Sequence, residues 1–199
     1  MKLYYCPGAC SFAAQIALQE AGLPYTAERV DLQNGKLADG TDFRSINPLG
    51  YVPLLALDDG NFLLEDAVIL LYVADLVPAL RLAPAHGDFA RYKLLERLNF
   101  IATELHKSFT PFFSNAPEEI QSASRTRLVA LFVWLNDQLA GKDYQLGATF
   151  GVADAYLYTI LNWTPYARIP LDGLEHLLAF QTRVAARPAV QKALALERQ

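Results

Sequence analysis

Residues 52–64 read Val-Pro-Leu-Leu-Ala-Leu-Asp-Asp-Gly-Asn-Phe-Leu-Leu, and this stretch decides the fold class. The continuous apolar run over residues 52–57 predicts a buried strand, with Pro53 near its start, where a missing backbone N–H is tolerated. Asp59-Gly60 favours a tight hairpin turn, so residues 62–64 are predicted to return as the next strand. The pattern is typical of a strand pair within a small α/β domain.

The segments on either side of this hairpin alternate between strand and helix patterns. Residues 3–5 and 26–32 are β-prone runs, and apolar residues at helical spacing predict a helix over residues 13–21 between them. After the hairpin, residues 65–77 change to a helical period. We therefore predict that residues 1–80 form an α/β domain.

A linker that contains proline and glycine follows over residues 78–87, and beyond it only helical patterns remain. Apolar residues recur at three- and four-residue intervals over residues 89–113, which predicts one long helix. Pro117-Glu118-Glu119 is typical of a helix start, and Asp154 is placed to reach back to the backbone at another. Residues 87–199 are predicted to form an all-helical domain.

The composition excludes several classes of protein. Of the 199 residues, 53% are hydrophobic and 19% are charged, which is too apolar for a disordered chain. Two cysteines are too few for a disulfide-stapled secreted domain, and a net charge of −4 offers no basic stripe for nucleic acid. Because no apolar run is long enough for a membrane span or a signal peptide, we expect a cytoplasmic protein with reduced thiols.

Cys10 is the first candidate for chemistry, since it lies where the first helix begins. Backbone N–H groups and the helix dipole at such a position lower the pKa of a thiol, and the hydroxyl of Ser11 lies in the same field. The alternative interpretation of Cys10 is a small buried hydrophobic residue. Cys6 precedes it at a spacing one residue longer than the C-x-x-C redox motif. Cys6 is either a resolving thiol or a small residue at a strand end, and we favour the second because nothing requires the two thiols to meet. No histidine is near in sequence, and no metal site is expected.

Two further features are candidates for a binding site. The Val52–Pro53 bond is a candidate cis peptide, which would turn the backbone N–H and C=O of Val52 outward to pair with an extended ligand. His106 lies on the predicted long helix, where a partly exposed histidine without a function is the alternative interpretation.

Five segments, in this order and at these positions, form a specific pattern. They are Pro7-Gly8-Ala9-Cys10-Ser11, Asn47-Pro48-Leu49-Gly50-Tyr51-Val52-Pro53, Glu65-Asp66-Ala67-Val68-Ile69, Asn99 with Thr103-Glu104-Leu105-His106-Lys107, and Val152-Ala153-Asp154-Ala155-Tyr156. The chain resembles a glutathione transferase of the bacterial beta class over its whole length. This resemblance implies a thioredoxin-like N-terminal domain over residues 1–80, a helical-bundle C-terminal domain over residues 87–199, and a homodimer.

The resemblance also implies a site for glutathione as co-substrate, without a metal. Glutathione would pair with the backbone of Val52, its γ-glutamyl end would reach the helix start at Glu65-Asp66, and its sulfur would lie beside Cys10 and His106 as the catalytic residues. The implied glutathione-binding residues are Lys36, Tyr51, Val52, Pro53, Glu65, Asp66, Asn99, Thr103, Glu104, Leu105 and His106. An apolar pocket for the electrophile would be lined by Tyr5, Phe109, Phe113 and Trp163.

Three positions depart from the family pattern. Asp66 stands where a small residue is usual, and its carboxylate would repel the γ-glutamyl carboxylate unless it turned to the ligand's ammonium group. Gly35 stands where many relatives carry a lysine near the glycyl end, with Lys36 adjacent to it. Gly151 replaces the usual Ser or Thr at a helix cap, which costs only a few tenths of a kcal/mol.

The activity implied by the resemblance is conjugation of glutathione to small hydrophobic electrophiles, a detoxification reaction. Donors from the helix N-terminus and from His106 would favour thiolate over thiol. Two alternatives stay open: a glutathione-dependent thiol–disulfide or peroxide reductase that uses Cys10, and a non-catalytic ligand-binding protein of the same fold.

Overall fold

A computed structural model describes residues 1–198. The first part of the chain contributes five strands, namely β1 (Lys2–Tyr5), β2 (Thr26–Asp31), β3 (Lys36–Leu37), β4 (Leu54–Ala56) and β5 (Phe62–Leu64). They form one sheet in the order β3-β2-β1-β4-β5, in which β1 and β2 are parallel and the other neighbouring pairs are antiparallel. The predicted hairpin is confirmed, since Leu55 of β4 lies opposite Leu63 of β5.

Helices cover this sheet and form the rest of the molecule. They are α1 (Ser11–Ala21), α2 (Asp66–Leu76), α3 (Phe89–Phe100), α4 (Thr110–Phe113), α5 (Glu118–Gln138), α6 (Val152–Leu161), α7 (Glu175–Ala185) and α8 (Pro188–Glu197). The helices α2, α6 and α8 all contact α1. Every residue of α6 is buried, and one continuous apolar core extends from Leu3 of β1 to Leu157 of α6. This is the predicted architecture, a thioredoxin-like domain followed by a helical domain.

The predicted domain bounds, 1–80 and 87–199, stay predictions. Between residues 1 and 198, no helix is both long and apolar enough to cross a membrane.

The predicted helical course over residues 89–113 is confirmed, but its winding is not uniform. The helix α3 ends at Phe100, the wider turns of a π-helix follow over Ile101–Leu105, and a 3₁₀ turn over His106–Phe109 leads into α4. Apolar spacing of three and four residues continues through all of these segments, so periodicity alone does not reveal the change of winding.

Two side-chain hydroxyls bond to backbone carbonyls in the segment where the winding changes. The Thr103 hydroxyl donates to the Asn99 carbonyl at 3.0 Å, and the Ser108 hydroxyl donates to the Glu104 carbonyl at 2.5 Å. Hydroxyls that bond to the carbonyl four residues earlier bend helices because they compete with the backbone ladder. Short π segments inside helices are frequent at functional sites, and this one carries the residues just before His106.

The start of α6 confirms the predicted role of Asp154. Its Oδ2 accepts from the Gly151 N–H at 2.8 Å, and its Oδ1 accepts from the Gln145 N–H at 2.9 Å. The Leu82 carbonyl accepts from the Val152 N–H at 2.9 Å, and a Cβ at position 151 would lie 3.0 Å from that oxygen. A larger residue at this cap would therefore need the backbone at Leu82 to shift by a few tenths of an ångström.

Candidate functional site

A cavity of about 550 Å³ lies between the edge of the sheet domain and the irregular segment after α3. Four stretches of chain, Leu32 and three further aromatic residues form its wall. The lining residues include Pro7–Cys10, Leu49–Pro53, Leu64–Asp66, Ala102, Thr103, His106, Lys107, Phe113, Tyr156 and Trp163. Segments far apart in sequence therefore meet at this one cavity.

Cys10 lies in the wall at the N-cap position of α1. Its thiol donates to the Val52 carbonyl at 3.3 Å. Burial raises the pKa of the Cys10 thiol well above its ordinary value, and the neighbouring charge of Asp66 raises it further, while backbone N–H groups at the helix start lower it by less. The lowered pKa expected from the helix N-terminus is therefore outweighed by desolvation.

Unlike Cys10, neither Ser11 nor Cys6 lines the cavity. The Ser11 hydroxyl is fully buried, accepts from the Cys6 N–H at 3.1 Å and donates to the Cys6 carbonyl at 3.2 Å, so it fixes the loop. Cys6 and Cys10 are both free thiols. Cys6 is not among the residues that line the cavity.

The loop before β4 presents the backbone of Val52 at the cavity. The Val52–Pro53 bond is cis, as predicted. The buried Asn47 side chain holds the loop, because its amide donates to the Tyr51 carbonyl at 2.8 Å and accepts from the Leu49 N–H at 3.2 Å. Within the part of the chain that the structure describes, the Val52 N–H has no hydrogen-bond partner, so it is available to a ligand.

The start of α2 forms another side of the cavity. Glu65 adopts a φ of 66°, in the left-handed region that non-glycine residues rarely occupy. Asp66, the first residue of α2, is only 5% exposed, and its Oδ1 has no hydrogen-bond partner among residues 1–198. Burial raises the pKa of Asp66 well above its ordinary value, a side-chain hydrogen bond with Cys10 lowers it by less, and the charge of Glu65 raises it further. The protonated carboxyl favoured in this way lessens the repulsion that the sequence predicted toward a ligand's carboxylate.

His106 enters the cavity from the irregular segment after α3. Its Nδ1 lies 2.8 Å from the Tyr156 hydroxyl, and its ring meets Trp163 edge-on with the centroids 5.0 Å apart. Burial lowers the pKa of His106 to about 4, with the charge of Lys107 contributing, so the ring is neutral at neutral pH. Burial also raises the pKa of Tyr156, which keeps the phenol protonated. The tyrosine thus orients a neutral imidazole whose Nε2 is left for a ligand.

The sequence did not single out Tyr156 as a site residue. It lies on α6, where every residue is buried, so no polar or apolar face distinguishes it. The signal that could have found it is a tyrosine within a fully apolar helix, because a buried hydroxyl needs a partner.

A second set of contacts that the sequence did not predict anchors the loop before Cys10. The Gly8 N–H donates to Glu197 Oε2 at 2.6 Å, and the Gly8 carbonyl accepts from Trp163 Nε1 at 2.8 Å. Glu197 Oε1 also accepts from the Gln15 amide at 2.9 Å. Both residues that hold Gly8 belong to the C-terminal half of the chain.

Several predicted glutathione-binding residues do not line the cavity. Lys36 is exposed on β3, and Asn99 is exposed at the end of α3. Glu104 forms an ion pair with Arg127, and Leu105 is fully buried in the core. The residues that do line the cavity are Tyr51, Val52, Pro53, Glu65, Asp66, Thr103 and His106.

Of the four residues predicted to line the apolar pocket, two line the cavity and two do not. Phe113 and Trp163 line the cavity, with their ring centroids 5.0 Å apart in an edge-on arrangement. Phe109 is fully buried behind them and contacts both rings. Tyr5 is buried in the core next to the sheet, because its strand position points it inward.

Comparisons with known proteins agree with this arrangement. The family described as "Glutathione S-transferase, N-terminal domain" matches residues 7–76, and "Glutathione S-transferase, C-terminal domain" matches residues 100–188. Glutathione S-transferase GstA of Escherichia coli O157:H7 is 46% identical over 198 residues, which cover 99% of this chain and 98% of that protein.

Two solved structures agree with the chain in sequence and in fold. One is a sphingomonad glutathione S-transferase complexed with glutathione, with a TM-score of 0.95, 45% identity and coverage of 100% of this chain and 99% of the other. The other is a bacterial beta class glutathione S-transferase of Sphingomonas chungbukensis, with a TM-score of 0.96, 41% identity and coverage of 99% and 98%. Two family matches and near-complete coverage at this identity show that the chain is an enzyme of the glutathione S-transferase family.

Proposed function

We propose that the protein conjugates glutathione to small hydrophobic electrophiles in this cavity. One observation carries the proposal: the free N–H of Val52, the start of α2, Cys10 and His106 all meet at a single cavity. That set offers separate partners for the backbone, the carboxylate end and the sulfur of one extended thiol peptide. The sphingomonad relative, 45% identical, was solved with glutathione, which supports the choice of ligand.

Glutathione is proposed to lie along the loop before β4. Its backbone pairs with the N–H of Val52, in the manner of a strand added to an open edge. Its γ-glutamyl carboxylate meets the first N–H groups of α2, which lack intrahelical partners as at any helix start. Tyr51 and Thr103 flank this path in the cavity wall. Contacts from Lys36, Asn99, Glu104 and Leu105 stay predictions of the resemblance.

The sulfur of glutathione is proposed to lie between Cys10 and His106. In the tautomer whose Nδ1 accepts from Tyr156, the Nε2–H of His106 donates to the sulfur and favours its thiolate. The backbone N–H groups at the start of α1 add to this stabilisation. The electrophile meets the thiolate against the apolar rings of Phe113 and Trp163, so catalysis rests on stabilising the thiolate and on positioning.

The test compares two single-cysteine variants, Cys10→Ala and Cys6→Ala. Turnover of a chlorinated aromatic substrate with glutathione, or formation of a mixed disulfide with glutathione, is expected to change in Cys10→Ala. Cys6→Ala should behave like the unaltered protein, because Cys6 does not line the cavity. If neither quantity changes in Cys10→Ala, Cys10 has no catalytic role.

The reductase is the second candidate function, favoured by the presence of a free Cys10 thiol in the cavity wall. High disulfide reduction together with negligible conjugation of the chlorinated aromatic would decide for it.

A non-catalytic role predicts weak retention on glutathione resin, and Asp66→Ser should improve that retention. Tight retention of the unaltered protein would contradict the non-catalytic role. The proposal also includes assembly as a homodimer, which light scattering can test. It further includes a cytoplasmic location.

A further inference from the structure

Three side chains of different chemistry converge on one point of the cavity wall. A sulfur of Cys10, a carboxylate oxygen of Asp66 and a ring nitrogen of His106 all lie within 4.8 Å of one another. The three residues come from the start of α1, the start of α2 and the irregular segment after α3. The proposed conjugation uses Cys10 and His106, whereas it requires nothing of the Asp66 carboxylate.

The carboxylate of Asp66 is the unusual member of this cluster. Only 5% of its surface is exposed, and it lies in the cavity wall. Its Oδ1 has no hydrogen-bond partner among the described residues. Buried polar atoms in native proteins are normally paired, and an exception calls for a ligand or another specific reason. An oxygen held without a partner beside a thiol and an imidazole therefore suggests that a ligand is to complete the group.

The donor set identifies the class of ligand. Thiolate, imidazole and carboxylate are the three ligand types of zinc sites, whereas magnesium and calcium select oxygen donors. A dication held by one thiolate, one carboxylate and one neutral imidazole forms a group without net charge, which suits a buried position. Three protein ligands with an open fourth position are the arrangement of an accessible zinc site rather than a closed structural one.

Tyr156 supplies the support that a metal-binding histidine needs. Such a histidine usually donates its second ring N–H to a fixed acceptor, which sets the tautomer and the direction of the ring. The Nδ1 of His106 lies 2.8 Å from the Tyr156 hydroxyl, so in the tautomer with a proton on Nδ1 the Nε2 lone pair is free for a cation. The hydroxyl accepts in that tautomer.

We propose that Cys10, Asp66 and His106 form a site for a divalent cation of the zinc class, with the fourth position open to the cavity. On binding, the thiol proton of Cys10 and the carboxyl proton of Asp66 pass to solvent as the metal–sulfur and metal–oxygen bonds form, and no redox change occurs. The sequence argued against a metal because no histidine lies near Cys10 along the chain, but the fold brings His106 to it. The cation and the glutathione sulfur would require opposite tautomers of His106, so the two are expected to interfere.

The test uses Co²⁺ as a spectroscopic probe of the full-length protein, without glutathione. A cobalt–thiolate bond gives a near-ultraviolet charge-transfer band, and tetrahedral cobalt gives intense visible bands. We expect both, at one equivalent of Co²⁺, and displacement of both by Zn²⁺. Removal of an outer-shell partner alone costs about 10–100-fold in metal affinity, so Asp66→Asn is expected to cost at least as much.

The matched control is His86→Gln, because His86 lies 3.4 Å from Asp75 in an exposed His–Asp pair that could bind a metal adventitiously. The bands should persist in His86→Gln. Absence of the charge-transfer band in the unaltered protein, or an unchanged affinity in Asp66→Asn, overturns the proposal.

A second measurement needs no variant and applies even if Asp66→Asn fails to fold. Alkylation of the two cysteines is followed by mass spectrometry with and without Zn²⁺, and Cys6 serves as the internal control. Zn²⁺ is expected to slow alkylation of Cys10 at least about tenfold and to leave that of Cys6 unchanged. Equal rates at Cys10 with and without Zn²⁺, or equal protection of both thiols, overturn the site. Because neither measurement involves glutathione, their failure is separate from failure of the proposed conjugation.

Discussion

Two buried aspartates stand at two helix starts, and their surroundings differ in one respect. Asp154 in α6 is 2% exposed and Asp66 in α2 is 5% exposed. Both oxygens of Asp154 accept from backbone N–H groups, whereas Oδ1 of Asp66 has no partner among residues 1–198. The first aspartate stabilises the fold, and the second lies unsatisfied in a cavity wall. Hydrogen-bond pairing, rather than burial, therefore separates Asp154 from Asp66, the acid for which we propose a function.

The largest effect is expected from Asp154→Ala. This change leaves the N–H groups of Gln145 and Gly151 without their acceptors. Each buried group without a partner costs about 1–3 kcal/mol, so the free energy of unfolding should fall by about 4 kcal/mol. Urea unfolding followed by circular dichroism measures the change. Asp154→Asn keeps one acceptor oxygen, so its free energy of unfolding should lie between those of the unaltered protein and Asp154→Ala. An Asp154→Ala protein as stable as the unaltered one would contradict the structural role.

An effect that is smaller per pH unit is expected from pH, again through Asp154. Burial raises the pKa of Asp154 to about 7, because loss of hydration outweighs its hydrogen bonds. The folded protein therefore holds a proton that the unfolded chain releases between the ordinary aspartate pKa of about 4 and about 7. The contribution of Asp154 to the free energy of unfolding falls as pH rises through this window, by at most about 1.4 kcal/mol per pH unit.

Urea unfolding at several pH values in this window, with Asp154→Asn as the control, isolates that contribution. The stability of the unaltered protein minus that of Asp154→Asn should decline with rising pH. A difference that stays constant or increases would show that the carboxyl of Asp154 is not the titrating group.

The smallest effect, with the opposite sign, is expected from Asp66→Ser. The change removes a buried carboxyl with an unpartnered oxygen, and the free energy of unfolding should rise by about 1 kcal/mol in a buffer with a metal chelator. Urea unfolding under the same conditions as for Asp154→Ala makes the two values comparable. A loss of stability as large as that of Asp154→Ala would mean that Asp66 has a structural partner and would remove the contrast between the two acids.

The sequence predicts local features well. The hairpin around Asp59-Gly60, the cis bond before Pro53 and the helix start after Pro117 all depend on neighbours in the chain, and the structure contains each of them. The cap formed by Asp154 is of the same kind, because its Oδ2 reaches the N–H of Gly151, only three residues away.

The sequence does not predict what depends on distant contacts. The raised pKa of Cys10 results from burial by segments far along the chain, which outweighs the local helix start. The change of winding after Phe100 leaves the apolar period intact, so the spacing of apolar residues does not reveal it. The pairing of His106 with Tyr156 joins two helices whose packing no spacing along the chain encodes.

The two hydrogen bonds of Gly8 limit how freely the sheet domain and the helical half can be exchanged between relatives. The loop that carries Cys10 is held on one side by Glu197 of α8 and on the other by Trp163, just beyond α6. Consider a chimera of residues 1–80 of this chain and the helical half of a relative that lacks those two side chains. It would contain Cys10, but the two hydrogen bonds that hold Gly8 would be missing. The position of the Cys10 loop therefore depends on both halves, and both halves also line the cavity.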